Sequence, residues 1–155
     1  MNNPCPQCPW RKANQGKKHF AGFYRKANLT RLWNLIRRGN GGGQTCHMTD
    51  PGHPDHVKAG CPEDAQMREC PGSIILVLRE LSAMASMGAR PDERRIDDQA
   101  VTTYLRTRKG GLTKSGILWW ALQRMQLGGT PLGGPKLTEV NEDDSDIDLP
   151  EYLKQ

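Results

Sequence analysis

Five cysteines are the residues with the greatest chemical potential in this 155-residue chain. Cys5 and Cys8 form a C-x2-C pair at the start, and two thiols at this spacing can bind one soft metal ion from a single turn. The prolines around them restrict the backbone, so the turn loses less entropy when it closes. This hook (residues 5–11) needs ligands from elsewhere, and the candidates are Cys46, His47, Cys61 and Cys70.

A tetrahedral thiolate site needs four ligands, and the preferred set is Cys5, Cys8, Cys46 and Cys70, since each borders a turn or a helix start. Cys61 and His47 are the alternates. Zinc and a 4Fe-4S cluster both accept four thiolates, and the spacing leaves both open. A redox dithiol is disfavoured because the C-x2-C pair lacks a βαβ context.

The elements that position these cysteines are predicted to be helices, from the spacing of the apolar residues. Asn28 or Thr30 is expected to cap the second helix and Gly39 to end it. Cys70 would begin the third helix with Pro71 in its first turn, where the helix dipole is expected to lower the pKa of the thiol. The predicted helices lie near 19–27, 29–38, 72–86 and 97–106, and a last helix follows a cap at Thr113 or Ser115 and runs to Leu127.

The expected fold class is mainly α, with a small metal-stapled helical domain, long loops and a disordered acidic tail. A cysteine-rich metal-binding domain is predicted at 1–86, a helical extension at 87–129, and a flexible linker with the tail at 130–155. Residues 44–73 have little apolar content, so something other than a core is expected to order them. The tail combines high charge with low hydrophobicity, which is typical of disorder.

The charge is distributed unevenly along the chain. The last 18 residues contain seven acids and one base, so they carry −6 while the rest of the chain carries +11. A basic body indicates a polyanionic partner, usually nucleic acid, although it also serves plain solubility. The predicted nucleic-acid-binding residues are Arg11, Lys12, Lys17, Lys18, Arg25, Lys26, Arg31, Arg37, Arg38, Arg106, Arg108 and Lys109.

The expected cellular compartment follows from two patterns that the sequence lacks. It has no apolar run near 18 residues and no signal-peptide pattern, so we expect a cytoplasmic protein with no membrane association. An odd number of cysteines in a reducing compartment favours metal ligation over disulfides.

The motifs C5-P-Q-C8-P-W-R11, C46-H47 and C70-P-G72 together carry a resemblance. They resemble a small cysteine-rich family of bacteriophage and bacterial proteins of unknown function, whose pattern is CPxCPWR, then CH, then C(A/P)G entering a helix. The resemblance covers about residues 4–85. It implies that Cys5, Cys8, Cys46 and Cys70 act together on a metal, in the host cytoplasm if the protein is phage-encoded.

Three functions are consistent with these patterns. The first is a metal-stabilised protein that binds nucleic acid or regulates transcription. The second is an adaptor or inhibitor of a host protein such as RNA polymerase, which binds through the acidic tail or the helix that carries Trp119 and Trp120. The third, an Fe-S redox enzyme, has least support, because the sequence has no phosphate loop or nucleophile elbow and no paired carboxylates in a credible cleft context. No catalytic residue is therefore assigned.

Overall fold

The computed structural model describes residues 3–18, 24–39, 44–46, 68–87, 97–126 and 139–155. Within these ranges the chain is mainly helical, as predicted, and contains no β-strand. No helix in these ranges is long and apolar enough to span a membrane. The helices are α1 (Lys26–Arg38), α2 (Pro71–Ser86), α3 (Asp98–Thr107) and α4 (Lys114–Gln126), with 3-10 helices at Lys12–Asn14 and Glu151–Leu153.

Four of the five predicted helices are confirmed, and the first is not. Tyr24 and Arg25 are non-helical, so α1 begins at Lys26, while residues 19–23 lie outside the described ranges. The predicted caps Asn28 and Thr30 are wrong, because both lie inside α1 and its N-cap makes no side-chain hydrogen bond. A missing cap costs only about 1 kcal/mol, and burial of one face of the helix outweighs it.

The end of α1 packs closely against α4. Gly39 ends α1 as predicted, in the left-handed conformation with φ of 66°, and a Cβ there would lie 2.7 Å from the Cβ of Trp119. Trp120 is 1% exposed and donates its indole N–H to the carbonyl of Ile36 at 2.8 Å. Of the adjacent tryptophans, Trp120 is therefore a core residue and Trp119 is half-buried.

Helix α2 is the central element, buried along most of its length from Pro71 to Met84. Glu80 lies inside this core with its side chain 7% exposed. It accepts hydrogen bonds from Tyr104 Oη at 2.5 Å and from Nε and Nη2 of Arg108 at 3.0 and 2.9 Å. Because a buried charge is costly unless it is paired, this network determines where the α3–α4 turn sits on α2.

The acidic tail is ordered over residues 139–155, so the expectation of a disordered tail is wrong there; we call this segment the C-terminal strap. The carbonyl of Asp146 accepts the N–H of Lys12 at 2.7 Å, and the N–H of Asp148 donates to the carbonyl of Trp10 at 2.9 Å. The strap therefore pairs with the hook as a short antiparallel bridge. Its buried apolar side chains include Val140, Ile147, Leu149 and Leu153.

Arg79 of α2 fastens the first half of the strap. Its guanidinium donates to the carbonyls of Glu142 (2.7 Å), Asp144 and Ile147. The strap is thus held by backbone carbonyls and widely spaced apolar side chains, while most of its acidic side chains remain at least partly exposed. The prediction of disorder used the average charge and hydrophobicity of the tail, and these averages contain no information about individual contacts of this kind. The domain boundaries at 86 and 129 remain predictions.

Replacement of Arg79 by methionine is expected to release the strap. The variant keeps the aliphatic stem but loses three hydrogen bonds from a charged donor, so the free energy of unfolding should fall by about 2–4 kcal/mol. Urea unfolding measures this, and limited proteolysis reports strap release directly. Arg106→Met is the matched control, because Arg106 is an exposed arginine on α3. Equal effects of the two substitutions would contradict the proposed role of Arg79 in holding the strap.

Candidate metal centre

The hook is a tight turn that faces inwards. The N–H of Cys8 donates to the carbonyl of Cys5 at 3.0 Å, and the side-chain amide of Asn14 donates to the carbonyls of Pro6 and Cys8 at 2.9 and 2.8 Å. These bonds satisfy the polar backbone of a segment that is largely buried. Cys5 and Cys8 are consequently 6% and 0% exposed.

The other two predicted ligands are brought together by a short antiparallel pairing of residues 44–46 with 68–70. The N–H of Cys46 donates to the carbonyl of Arg68 at 2.7 Å, and the N–H of Cys70 donates to the carbonyl of Gln44 at 2.8 Å. In this register Cys46 and Cys70 are diagonal neighbours on one face, within side-chain reach of each other. Thr45 and Glu69 form the bridge and point to the opposite face.

All four cysteines of the preferred set converge in the core. Cys8 Sγ lies 4.0 Å from Cys70 Sγ, and Cys5 forms a side-chain hydrogen bond with Cys46. Cys70 also interacts electrostatically with both Cys5 and Cys46. All four are free thiols, and none is more than 6% exposed. The alternates Cys61 and His47 lie outside the described residues.

The thiols stand as two hydrogen-bonded pairs. Among the described residues, no group of three or more His, Cys, Asp or Glu side chains has the arrangement needed to hold a metal ion as the side chains stand. In the Cys8–Cys70 pair one thiol donates its S–H to the other sulfur, and either can be the donor.

Cys70 is the N-cap of α2, with Pro71 at the first helical position, as predicted. The expected lowering of its pKa is not observed. The hydrogen bond with Cys8 raises the pKa of the Cys70 thiol well above its usual value, and complete burial adds to this rise. For the same reasons, with Cys46 as the partner, the pKa of Cys5 is raised.

Two backbone amides partly offset the rise in pKa of these thiols. The N–H of Gln7 faces the Cys5 sulfur and the N–H of Ser73 faces the Cys70 sulfur, and each lowers the pKa of that thiol. The Ser73 contact falls short of a capping hydrogen bond, yet it directs a partial positive charge at the sulfur. Both amides favour the thiolate, which is the ligating form.

Gly72 is a site residue that ligand spacing does not identify. A Cβ at this position would lie 2.4 Å from Cys8 Sγ and 3.3 Å from an indole carbon of Trp10. The absence of a side chain therefore allows α2 to approach the hook. The glycine in the C-P-G motif was the one feature of the sequence that could have indicated this close approach.

Arg11 and Trp10 complete the wall around the thiols. Arg11 donates from Nε to the carbonyl of Cys5 at 2.8 Å and from Nη2 to the carbonyl of Pro4 at 2.6 Å, and it forms an ion pair with Asp146. Trp10 is fully buried, and its indole N–H donates to the side chain of Gln44 at 2.8 Å. The W-R dipeptide thus connects the hook to both the strap and the Cys46 segment.

Glu69 is a second unforeseen residue, on the face opposite the thiols. It is 0% exposed, and neither carboxylate oxygen has a hydrogen-bond partner in the described part of the chain. Burial raises the pKa of Glu69 to about 8, although the nearby backbone amide of Gln44 lowers it slightly. No sequence pattern distinguishes this glutamate from an exposed one.

The predicted nucleic-acid-binding residues divide into two groups. Arg11, Arg37 and Arg108 donate hydrogen bonds to protein acceptors in the fold. Lys26 lies 4.9 Å from the ring centre of Tyr152, a cation–π contact with the strap. The exposed members that form no ion pair among the described residues are Lys12, Lys17, Lys18, Arg25, Arg31, Arg38, Arg106 and Lys109.

Comparison with known proteins adds no relative to this description, because no family model, curated protein or solved structure matches the chain.

The close approach at Gly72 generates a double-mutant prediction. Gly72→Ala should destabilise the protein despite the higher helix propensity of alanine, because the new methyl group overlaps the Cys8 sulfur. In a Cys8→Ala background the overlap is removed, so the same substitution should cost about 1–3 kcal/mol less. Urea unfolding of the four variants measures the difference, and equal costs in both backgrounds would refute the contact.

Proposed function

We propose that Cys5, Cys8, Cys46 and Cys70 bind a single metal ion, zinc, which holds the fold together. The convergence of four buried thiols from three separate segments carries this proposal. In a tetrahedral site with Zn–S bonds of about 2.3 Å, neighbouring sulfurs lie about 3.8 Å apart. The 4.0 Å between the sulfurs of Cys8 and Cys70 is close to that edge length.

Zinc is favoured over an iron–sulfur cluster by the same distance. A 4Fe-4S cluster places four iron and four sulfide atoms among its cysteine ligands, so the cysteine sulfurs lie well apart, whereas a single ion brings them almost into contact. The ion would replace the protons that now join the thiols in pairs. Its positive charge would stabilise all four thiolates, which burial alone disfavours.

The proposed ion is structural, because four protein ligands leave no open position for substrate. It would tie the hook, residues 44–46 and the start of α2 to one point. Apart from Trp10 and the cysteines, the hook and residues 44–46 contribute no large buried apolar side chain, and a metal adds folding energy where a small core is insufficient. The cysteine set is also the one that the CPxCPWR resemblance implies.

Serine substitutions test the ligand set. Cys5→Ser, Cys8→Ser, Cys46→Ser and Cys70→Ser should each lower the zinc content of the purified protein and lower its melting temperature. Cys61→Ser is the matched control and should retain one zinc per chain, as measured by elemental analysis. The assignment fails if Cys61→Ser loses zinc while Cys70→Ser keeps it.

We further propose that the chain binds nucleic acid through the exposed cations of its N-terminal part. Residues 1–39 contain nine Lys and Arg and no Asp or Glu. Of the nine, Arg11 is paired with Asp146 of the strap. Arg31 and Arg38 lie two turns apart on the exposed side of α1, with Lys12, Lys17 and Lys18 on the preceding segment. Cations presented in this way bind phosphates, while Trp10 and Trp33 serve the core and do not stack on bases.

The salt dependence of duplex binding tests this interface. The double variant Arg31→Gln/Arg38→Gln should bind more weakly, and the slope of log K against log salt should become shallower by about 0.9 for each phosphate that the variant no longer neutralises. Arg106→Gln on α3 is the control with an equally exposed arginine. An unchanged slope in the double variant would reject α1 as the interface.

One observation favours a second function, the adaptor. On α4 the side chains of Leu118 and Leu122 are 52% and 39% exposed, one turn apart, beside the half-buried Trp119. The indole nitrogen of Trp119 is buried and has no hydrogen-bond partner in the described part of the chain. A protein partner that stays bound after nuclease treatment, and no longer binds the Leu118→Glu variant, would favour this function over nucleic-acid binding.

A further inference from the structure

A cleft of about 470 Å³ lies on the side of α2 that faces the strap, away from the thiols. Its floor is α2, one wall is the turn 107–110, and the other wall is the strap. The volume lies within the usual range of small-molecule sites, roughly 300–1,000 Å³. None of the four cysteines lines it.

The charges that line the cleft are mainly positive. It contains four basic side chains (Arg79, Arg108, Lys109 and Lys154) and two acidic ones (Glu80 and Asp148). Both carboxylates are already satisfied, Glu80 by Arg108 and Tyr104, and Asp148 by Lys154 at 2.8 Å and by the backbone N–H of Leu149 at 2.9 Å. The cleft is therefore poorly suited to a cation and well suited to an anion.

Two of the basic groups are available to an anion. Lys109 is exposed and has no hydrogen bond or ion pair within the described residues. The side chain of Arg108 is 45% exposed even though two of its donors reach Glu80, so it retains donors for a further partner. By contrast, all three guanidinium nitrogens of Arg79 donate to carbonyls of the strap.

The turn that carries these two groups is held rigidly. Gly110 has φ of 73°, and a Cβ there would lie 2.1 Å from the carbonyl oxygen of Leu153, so only glycine permits the contact with the strap. Its own carbonyl accepts the indole N–H of Trp33 at 2.7 Å. A cationic turn fixed before binding loses little entropy when it holds a ligand.

We propose that this cleft binds the phosphate group of a nucleotide, with Lys109 and Arg108 as its ligands. Arginine and lysine together supply directed and point-charge contacts to phosphate oxygens. Leu76 and Leu149 provide an apolar wall against which the nucleoside part of the nucleotide can pack. The bound phosphate group belongs either to a free mononucleotide or to the 5′ end of a nucleic-acid strand. The site shares no residue with the proposed metal centre.

Titration of the full chain with AMP, inorganic phosphate and adenosine, followed by calorimetry, tests the proposal. AMP should bind saturably, phosphate more weakly, and adenosine not measurably. Lys109→Gln should weaken AMP binding about tenfold, the loss expected for one charge-assisted hydrogen bond. Lys114→Gln, an exposed lysine outside the cleft, should leave it unchanged. Equal effects in the two variants, or no saturable binding of any phosphate probe, would overturn the proposal.

Two further probes sharpen the result. The first probe is a trinucleotide with a 5′ phosphate. If it binds more tightly than AMP and more tightly than its 5′-hydroxyl form, the ligand is the end of a nucleic-acid strand. If AMP binds as tightly as the trinucleotide, the ligand is the free nucleotide. Asp148→Asn keeps an acceptor for the Leu149 N–H but removes a negative charge from the cleft. It should strengthen AMP binding, and weaker or unchanged binding would also overturn the proposal.

Discussion

The burial of four thiols at one point in the core is the constraint on which the rest of the structure depends. Three short segments must meet there, namely the hook, residues 44–46 and residues 68–70 before α2. Backbone hydrogen bonds close the hook and join the other two segments, and Trp10 adds a fully buried apolar side chain. The glycine after Pro71 admits the Cys8 sulfur, while Trp10 and Arg11 close the remaining sides. A buried cluster of protonated thiols stabilises little by itself, whereas the same cluster around one zinc ion would add substantial folding energy.

The strap extends this arrangement across the whole chain. It pairs with the hook through residues 10–12, is fastened by Arg79, and contacts the α3–α4 turn at Gly110. The first and last segments of the sequence therefore support each other, and the cleft beside the strap exists only while the strap is docked. This arrangement links the proposed metal centre to the proposed phosphate site through shared packing, although the two sites have no residue in common.

The sequence predicted those parts of the fold that leave a periodic or chemical signal. The apolar spacing located α2. The cysteines preferred for their place at turns and helix starts lie close together among the described residues, while their role as metal ligands stays a prediction. The sequence misplaced the start of α1, because burial of a helix face there acts without a recognisable cap. It missed the docking of the strap, because four apolar residues spread over 14 positions are hidden among seven acids. The burial of Glu69 and the close approach at Gly72 arise from tertiary contacts alone.

Native mass spectrometry combined with thiol counting tests the central claim most directly. The protein, purified without oxidation, should carry the mass of one zinc ion, and four of its five cysteines should resist alkylation until a chelator removes the metal. Loss of the ion should make those four thiols reactive together. A protein of apo mass, whose thiol reactivity and melting temperature do not change with added zinc or chelator, would contradict the claim.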